Sequence, residues 1–488
     1  MSNSGVTIGG SDSELIQQLG KMSNRHGLIS GATGTGKTVS LQVLAEGFSR
    51  LGTPVFAVDV KGDLSGISRP GKPHKEIDRR LGLIPIEGYS QRGYPTVFWD
   101  IFGEQGHPAR TSISEMGPLI LSNLLELNDT QTGVLYACFA IADDEGLLLL
   151  DLKDLRSMLI WMGENRKSLQ TTYGNLAPAS IGAIQRRLLV LEEQGADLFF
   201  GEPALSVTDF MQHDFNGNGV ISLLAGNRLL NESPRLYGAF LMWLLSELTE
   251  ELPEAGELDV PKLALFFDEA HLMFNGMQKP LLEKVEQVVR LIRSKGVGVY
   301  FVTQSPLDIP DDVLGQLGMK VQHALRAFTP KDQKSIRAVA SGFRSDGSFD
   351  VADAITNVGV GEAVVSTLLE NGAPSPVRRT LVCPPESRIG PATAAEQQES
   401  LQRSPLNGRY DRAVDRESAY EMLAARAELA AERQAQLELE EAQHKATRRP
   451  TRRGRQSVSE ALLKSAARSV GSSLGRRLVR GILGSLLK

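Results

Sequence analysis

Apolar residues fall along this chain in two rhythms. Short unbroken runs at residues 27–30, 53–59, 94–101, 219–224, 262–267 and 297–302 read as strands, and residues 321–328 and 362–368 as the last of the set. Apolar positions spaced by three and four mark helices at residues 39–46, 234–251 and 281–294. The runs at 53–59 and 262–267 are continuous rather than alternating, as in parallel strands covered on both faces. Strands that alternate with helices predict an open, mostly parallel α/β sheet with helices on both faces. Residues 62–93 are rich in Gly and Pro and predict a long loop with little regular structure. From residue 112 to 215 the spacing is largely helical, at 119–127, 130–142, 152–162 and 179–193, which predicts an α-helical insertion between sheet elements. About twenty-five residues precede the first strand, and no substantial element is expected there.

This pattern divides the chain into a first part of an α/β core at 1–111, the insertion at 112–215 and a second part of the core at 216–385. A charged helical or mobile segment follows at 386–444, with AARAELAAERQAQLELEEAQ as its clearest helical run, and a basic tail occupies 445–488.

Composition changes this picture only at the C-terminus. The 488 residues carry a net charge of −5, with 41% apolar and 23% charged positions. The tail from 445 onward holds 12 Lys or Arg and one acid, a local charge of +11, which leaves −16 for the remainder. Within it, Val458, Leu462, Leu463, Val470, Leu474 and Leu478 recur at helical spacing among Lys464, Arg468, Arg476 and Arg477, so a basic amphipathic helix is expected. Its acidic body does not advertise nucleic-acid binding. The two cysteines, Cys138 and Cys383, lie far apart and form no metal-type spacing, so both read as reduced thiols. No apolar run approaches the length of a membrane span. A cytoplasmic location is expected, with the tail available to place the chain peripherally at the inner face of a membrane.

The candidate chemistry begins at Gly31-Ala32-Thr33-Gly34-Thr35-Gly36-Lys37-Thr38, which fits G-x-x-x-x-G-K-[ST] at every fixed position. A strand precedes it, and a helix containing Val39 follows. In that setting backbone N–H groups point at phosphates from a helix N-terminus. Lys37 would reach the β- and γ-phosphates and the Thr38 hydroxyl would ligate Mg²⁺, so ATP and Mg²⁺ are the expected ligands. The apolar run at 263–267 ends in Asp268-Glu269-Ala270-His271. A buried strand delivering two carboxylates at its C-terminal end suits Asp268 to the Mg²⁺ shell and Glu269 to deprotonating the attacking water. His271 reads equally as a packing residue. Gln304, at the tip of the next strand, is placed to contact the γ-phosphate or the water. Arg290 and Arg293 on the preceding helix, and Arg326 in the run after Gln304, are candidates for an arginine supplied to a neighbouring subunit, with Arg293 and Arg326 preferred. The stretch Asp59-Val60-Lys61-Gly62-Asp63 closes the second strand and serves either the site or a turn.

Taken together, GATGTGKT at 31–38, VDVKGDLSG at 58–66, LALFFDEAH at 263–271, RLIRSKGVGVYFVTQSP at 290–306 and GEAVVSTL at 361–368 resemble the HerA/FtsK superfamily of hexameric motor ATPases, most of all its bacterial HerA-like, YjgR-type members. The likeness spans about residues 5–385. It implies a RecA-like P-loop NTPase core of the additional-strand, catalytic-glutamate class, a hexameric ring and an arginine finger acting across subunits. The chain departs from the archaeal members in leaving no room for an N-terminal β-barrel, and from FtsK-type members in lacking membrane helices and a winged helix. The resulting expectation is a ring ATPase that translocates DNA. The alternative is a nucleotide-dependent switch or scaffold acting on a protein partner or at an anionic membrane surface through its tail. A small-molecule kinase fits less well, because the Asp268-Glu269 pair suits water activation.

Overall fold

The computed structural model describes residues 5–11 and 14–447. Twelve strands form one sheet: β1 (Gly5–Ser11), β2 (Glu14–Leu19), β3 (Gly27–Ser30), β4 (Val55–Asp59), β5 (Thr96–Asp100), β6 (His107–Pro108), β7 (Ile221–Ala225), β8 (Leu263–Phe267), β9 (Val297–Thr303), β10 (Met319–Gln322), β11 (Glu362–Ser366) and β12 (Arg378–Val382). Their order is β2-β1-β12-β11-β10-β3-β9-β8-β4-β7-β5-β6. Every pairing from β10 across to β6 is parallel, whereas β2, β1, β12 and β11 make an antiparallel wing that joins β10.

The continuous apolar runs have the physical cause expected of them. In β8, Ala264 and Phe266 join the core on one face of the sheet, while Leu265 and Phe267 join the core on the other. A strand covered on both sides has no polar face to alternate with. The helix α1 (Lys37–Arg50) packs on the first face. The helices Pro234–Glu251 and Lys279–Ile292 pack on the second, and their apolar stripes merge with it in one core.

The insertion forms helices at Ile113–Leu124, Asp129–Asp144, Leu152–Tyr173 and Pro178–Glu193. Three of their starts are fixed by reciprocal caps, Ser112 with Glu115, Asn128 with Gln131 and Asp151 with Asp154, each satisfying two otherwise orphaned N–H groups. Buried residues of the insertion, such as Leu135, Leu159 and Leu188, belong to the same core as the second sheet face.

Four local expectations change. The N-terminal segment is not featureless, since β1 and β2 extend the sheet. They escape a search for apolar runs because β1 (GVTIGGS) holds few large side chains, with Val6 and Ile8 its buried ones. The Gly/Pro-rich loop carries a two-turn helix, Lys75–Leu81, capped by the His74 side chain. The strand expected at 321–328 ends at Gln322, because Ala324 turns to the loop after β3, its carbonyl accepting from the Ala32 N–H at 2.8 Å. Finally, the segment after 385 does not leave the body at once, since residues up to Ala424 belong to the first compact unit.

That last segment is held by buried polar bonds. Gln42, Glu46 and Arg50 lie four apart on one face of α1. Glu46 accepts from the N–H groups of Glu386 (2.8 Å) and Ser387 (3.0 Å) and from the Ser387 hydroxyl, and Gln42 donates to the Ser387 hydroxyl at 2.6 Å. Arg50, Arg92 and the Tyr94 hydroxyl converge on the Glu386 carboxylate. Burial pushes the Glu46 carboxyl up to about 7. Further on, Arg110 donates to the Tyr410 carbonyl, Tyr410 and Arg409 bond Asp209, and the Ser418 hydroxyl donates to Asp154. Replacing Glu46 with alanine is expected to lower unfolding stability by about 3 kcal/mol, because two buried N–H groups and a hydroxyl lose their acceptor. Urea denaturation measures this, and a midpoint equal to wild type would mean that the segment after residue 385 is not anchored on α1.

The described part of the second unit, residues 425–447, lies in the helix Ala419–Thr447, and residues 425–444 of it are largely exposed. Residues 448–488, where most of the basic tail was expected, lie outside the described residues. Among the described residues, no helix is long and apolar enough to cross a membrane.

Candidate nucleotide site

The carboxyl ends of the central parallel strands build the site. β3 ends at Ser30, and Gly31–Gly36 turn the chain into α1. Gly36 takes φ +115° and Gly34 φ +78°, conformations that an L side chain resists. A Cβ at Gly34 would meet nothing within 4 Å, so the outer face of the loop is open. No side chain caps α1. The first N–H groups of a fourteen-residue helix therefore point toward the loop, which is the donor set that a polyanionic phosphate chain requires. Lys37 is buried, and its ammonium donates to the Gly31 carbonyl at 2.6 Å and the Ala32 carbonyl at 3.2 Å. Burial, then the neighbouring Lys61, pulls its pKa below the usual lysine value.

Two strands away, β8 delivers Asp268 and Glu269, both at least 91% buried. Burial and the adjacent Glu269 raise the Asp268 carboxyl to about 6. The Tyr237 hydroxyl, on the helix Pro234–Glu251, donates to the Asp268 carbonyl. Glu269 has φ +48°, one of three non-glycine residues with positive φ among the described residues. A side chain held in that region marks a backbone fixed by its surroundings. Here the Ala270 N–H donates to the Val302 carbonyl at 2.9 Å and the Glu269 N–H to the Asp268 carboxylate at 2.9 Å.

Three side chains surround the Glu269 carboxylate. The Gln304 amide donates to one oxygen at 3.4 Å, and His271 Nδ1 lies 3.4 Å from that same oxygen. The Lys61 ammonium is 4.0 Å from the other. Asp59 serves the turn beside it, accepting from the Leu64 and Ser65 N–H groups at 3.0 and 3.2 Å. Lys37, Asp268, Glu269 and Gln304 thus gather at one sheet edge. Asp268 and Thr38 offer the carboxylate and hydroxyl oxygens that a hard divalent cation takes.

The family model for the HerA-like helicase C-terminal domain matches residues 6–488. The chain belongs to the HerA-like family. Solved structures agree at the level of fold. The bacterial conjugative coupling protein TrwB, lacking its N-terminal 70 residues, is 17% identical over 81% of this chain and 92% of its own, with a TM-score of 0.51. VirB4 of Thermoanaerobacter pseudethanolicus is 16% identical over 78% and 97%, with a TM-score of 0.50. A comparison with curated protein sequences finds no match.

The two candidate arginines of this HerA-like chain occupy opposite edges. Arg326 is exposed just beyond β10, two residues past the carbonyl that holds the Ala32 N–H, on the edge that carries the phosphate loop. Arg293 is exposed in the turn before β9, so roughly 20 Å of strand separates it from Gln304. Arg290 lies one turn earlier on the same helix.

Two site neighbours are not apparent from motifs. His323 is fully buried against the loop. Its Nδ1 faces the Glu362 carbonyl at 2.9 Å, which makes that nitrogen the donor and lets Nε2 accept from the Ser40 hydroxyl at 2.8 Å. Burial pushes its pKa down to about 4 and keeps the ring neutral. Its position directly after a strand's carboxyl end, like that of Gln304, is the one signal in the sequence. Arg80 donates to the carbonyls of Val360, Gly361 and Val382, and the Gly361 N–H donates to the Thr35 carbonyl at 2.9 Å. No sequence spacing links the helix Lys75–Leu81 to that loop.

Proposed function

We propose that the protein is an ATP-hydrolysing HerA-like ring motor that translocates DNA, with Mg–ATP bound where neighbouring subunits meet. The observation that carries this reading is the meeting of Lys37, Asp268 and Glu269 at one sheet edge, facing an uncapped helix N-terminus. The amides of Gly31–Thr38 and Val39 and the Lys37 ammonium bind the phosphates. Thr38 and Asp268 would hold Mg²⁺, which when bound neutralises charge on the phosphate oxygens. Glu269 takes a proton from the water that attacks the γ-phosphorus, the bond to the bridging oxygen breaks, and ADP and phosphate result. Gln304 orients the Glu269 carboxylate or the water. TrwB has been solved with the non-hydrolysable GTP analogue GDPNP, which supports a nucleoside triphosphate in this loop.

A neighbouring subunit supplies the arginine that meets charge developing on the phosphates, and the hexamer expected of the family provides that neighbour. Arg326 is the better placed of the two candidates, since it stands exposed at the nucleotide edge, while Arg293 would have to come from a subunit docked through its opposite edge. The basic tail favours a second reading, in which slow hydrolysis switches a scaffold on an anionic membrane surface or a protein partner. Duplex DNA separates the two. The motor reading expects DNA to raise the ATPase rate several-fold at about 50 mM salt and to lose that effect near 200 mM, as phosphate contacts exchange with counterions. A rate indifferent to DNA at low salt would turn the choice to the switch.

A further inference from the structure

Among the described residues, Lys61 is the one lysine or arginine near the catalytic acids that the phosphate-loop pattern does not account for. It stands two residues beyond the end of β4, which pairs in parallel with β8, the strand that delivers Asp268 and Glu269. The turn that carries it is built rather than loose. Gly62 takes φ +74°, and the Asp59 carboxylate pins the following backbone at Leu64 and Ser65. The side chain is 39% exposed, and its ammonium reaches only to 4.0 Å from Glu269. That is the outer limit of an ion pair, and half-exposed pairs of this kind contribute little to stability.

The charges around it suggest a different role. In the strand order β3-β9-β8-β4, the loop that holds Lys37 follows β3 and the turn that holds Lys61 follows β4, so the two ammonium groups stand on opposite sides of the β8 carboxylates. Like charges so placed repel unless an anion lies between them. Lys37 is tied to the start of its own loop by the Gly31 and Ala32 carbonyls. Lys61 comes from the other side of β8, beside Glu269.

We propose that Lys61 contacts the γ-phosphate of ATP, making it the residue through which the site distinguishes ATP from ADP. The inference rests on the nucleotide reading above. Lysine suits the role as a compact ammonium on a flexible stem, able to leave a weak carboxylate partner for a more highly charged phosphate.

Binding of ATPγS and of ADP, measured by calorimetry on the full chain, tests this apart from turnover. Lys61→Met is expected to weaken ATPγS binding about 10-fold, the order of one charge-assisted hydrogen bond, and to leave ADP binding within about twofold. Lys61→Arg, which keeps the charge, should recover most of the loss. Equal loss of both ligands in Lys61→Met would make Lys61 a general support of the site, and no loss of either would make it a partner of Glu269 alone; each overturns the proposal. Failure of wild type to bind ATPγS, or retention of binding in Lys37→Ala, would instead remove the nucleotide reading beneath it.

Discussion

Lys37→Ala is expected to abolish ATP hydrolysis and to weaken ATP binding by about 10²-fold or more. The Lys37 ammonium is the loop's only cation, and it is buried at the root of the loop, bonded to the Gly31 and Ala32 carbonyls. Removing a preorganised cation from a site where negative charge concentrates costs on the order of 10²–10³ in rate, and in the proposed role the same group would also bind the ground state. Its removal also releases two loop carbonyls, so a calorimetric titration and a melting curve belong together. Turnover near that of wild type in a folded Lys37→Ala protein would end the phosphate-loop reading.

Glu269→Gln should separate binding from chemistry. Glutamine keeps the size of the side chain and is as tolerant of φ +48° as glutamate, so the backbone after β8 has no new reason to move. Gln304 still has an oxygen to donate to, whereas the base is gone. The variant is expected to bind ATP with near-wild-type affinity and to hydrolyse it about 10²-fold or more slower, the usual contribution of a positioned general base. Should Glu269→Gln turn over normally while Asp268→Asn does not, the roles of the two carboxylates are exchanged.

How much of this was legible beforehand depended on whether a feature is local. The loop at 31–38 and the acid pair after 263–267 could be read because their geometry is written in consecutive residues: glycines where φ is positive, an apolar run where a strand is buried twice. Gln304 followed from being the polar residue at a strand tip. Of the antiparallel wing only β11 was anticipated; the rest was missed because β1 and β12 owe their place to pairing across more than 370 residues, through Gly9 with Val382 and Gly10 with Leu381, and not to an apolar run. Separations of 281 and 341 residues likewise hide Arg80 from the Gly361 carbonyl and Glu46 from Ser387. The segment 386–424 looked mobile because its charges were read as solvated. In the fold Arg388, Glu396, Asp411 and Ser418 are instead paired with one another or with the body.

That segment is fastened at two distant points. One end is bonded to α1 through Glu46 and Gln42, and the other to the insertion through Asp209 and Asp154. A backbone tether of fixed length anchored this way acts as a connecting rod. The phosphate-loop helix and the helical insertion cannot rotate independently by more than the slack between Arg388 and Arg409 allows, unless a buried carboxylate gives up its partners. A tilt of α1 relative to the insertion, more than sixty residues away along the chain, would therefore load this segment directly, along a path that does not run through the sheet.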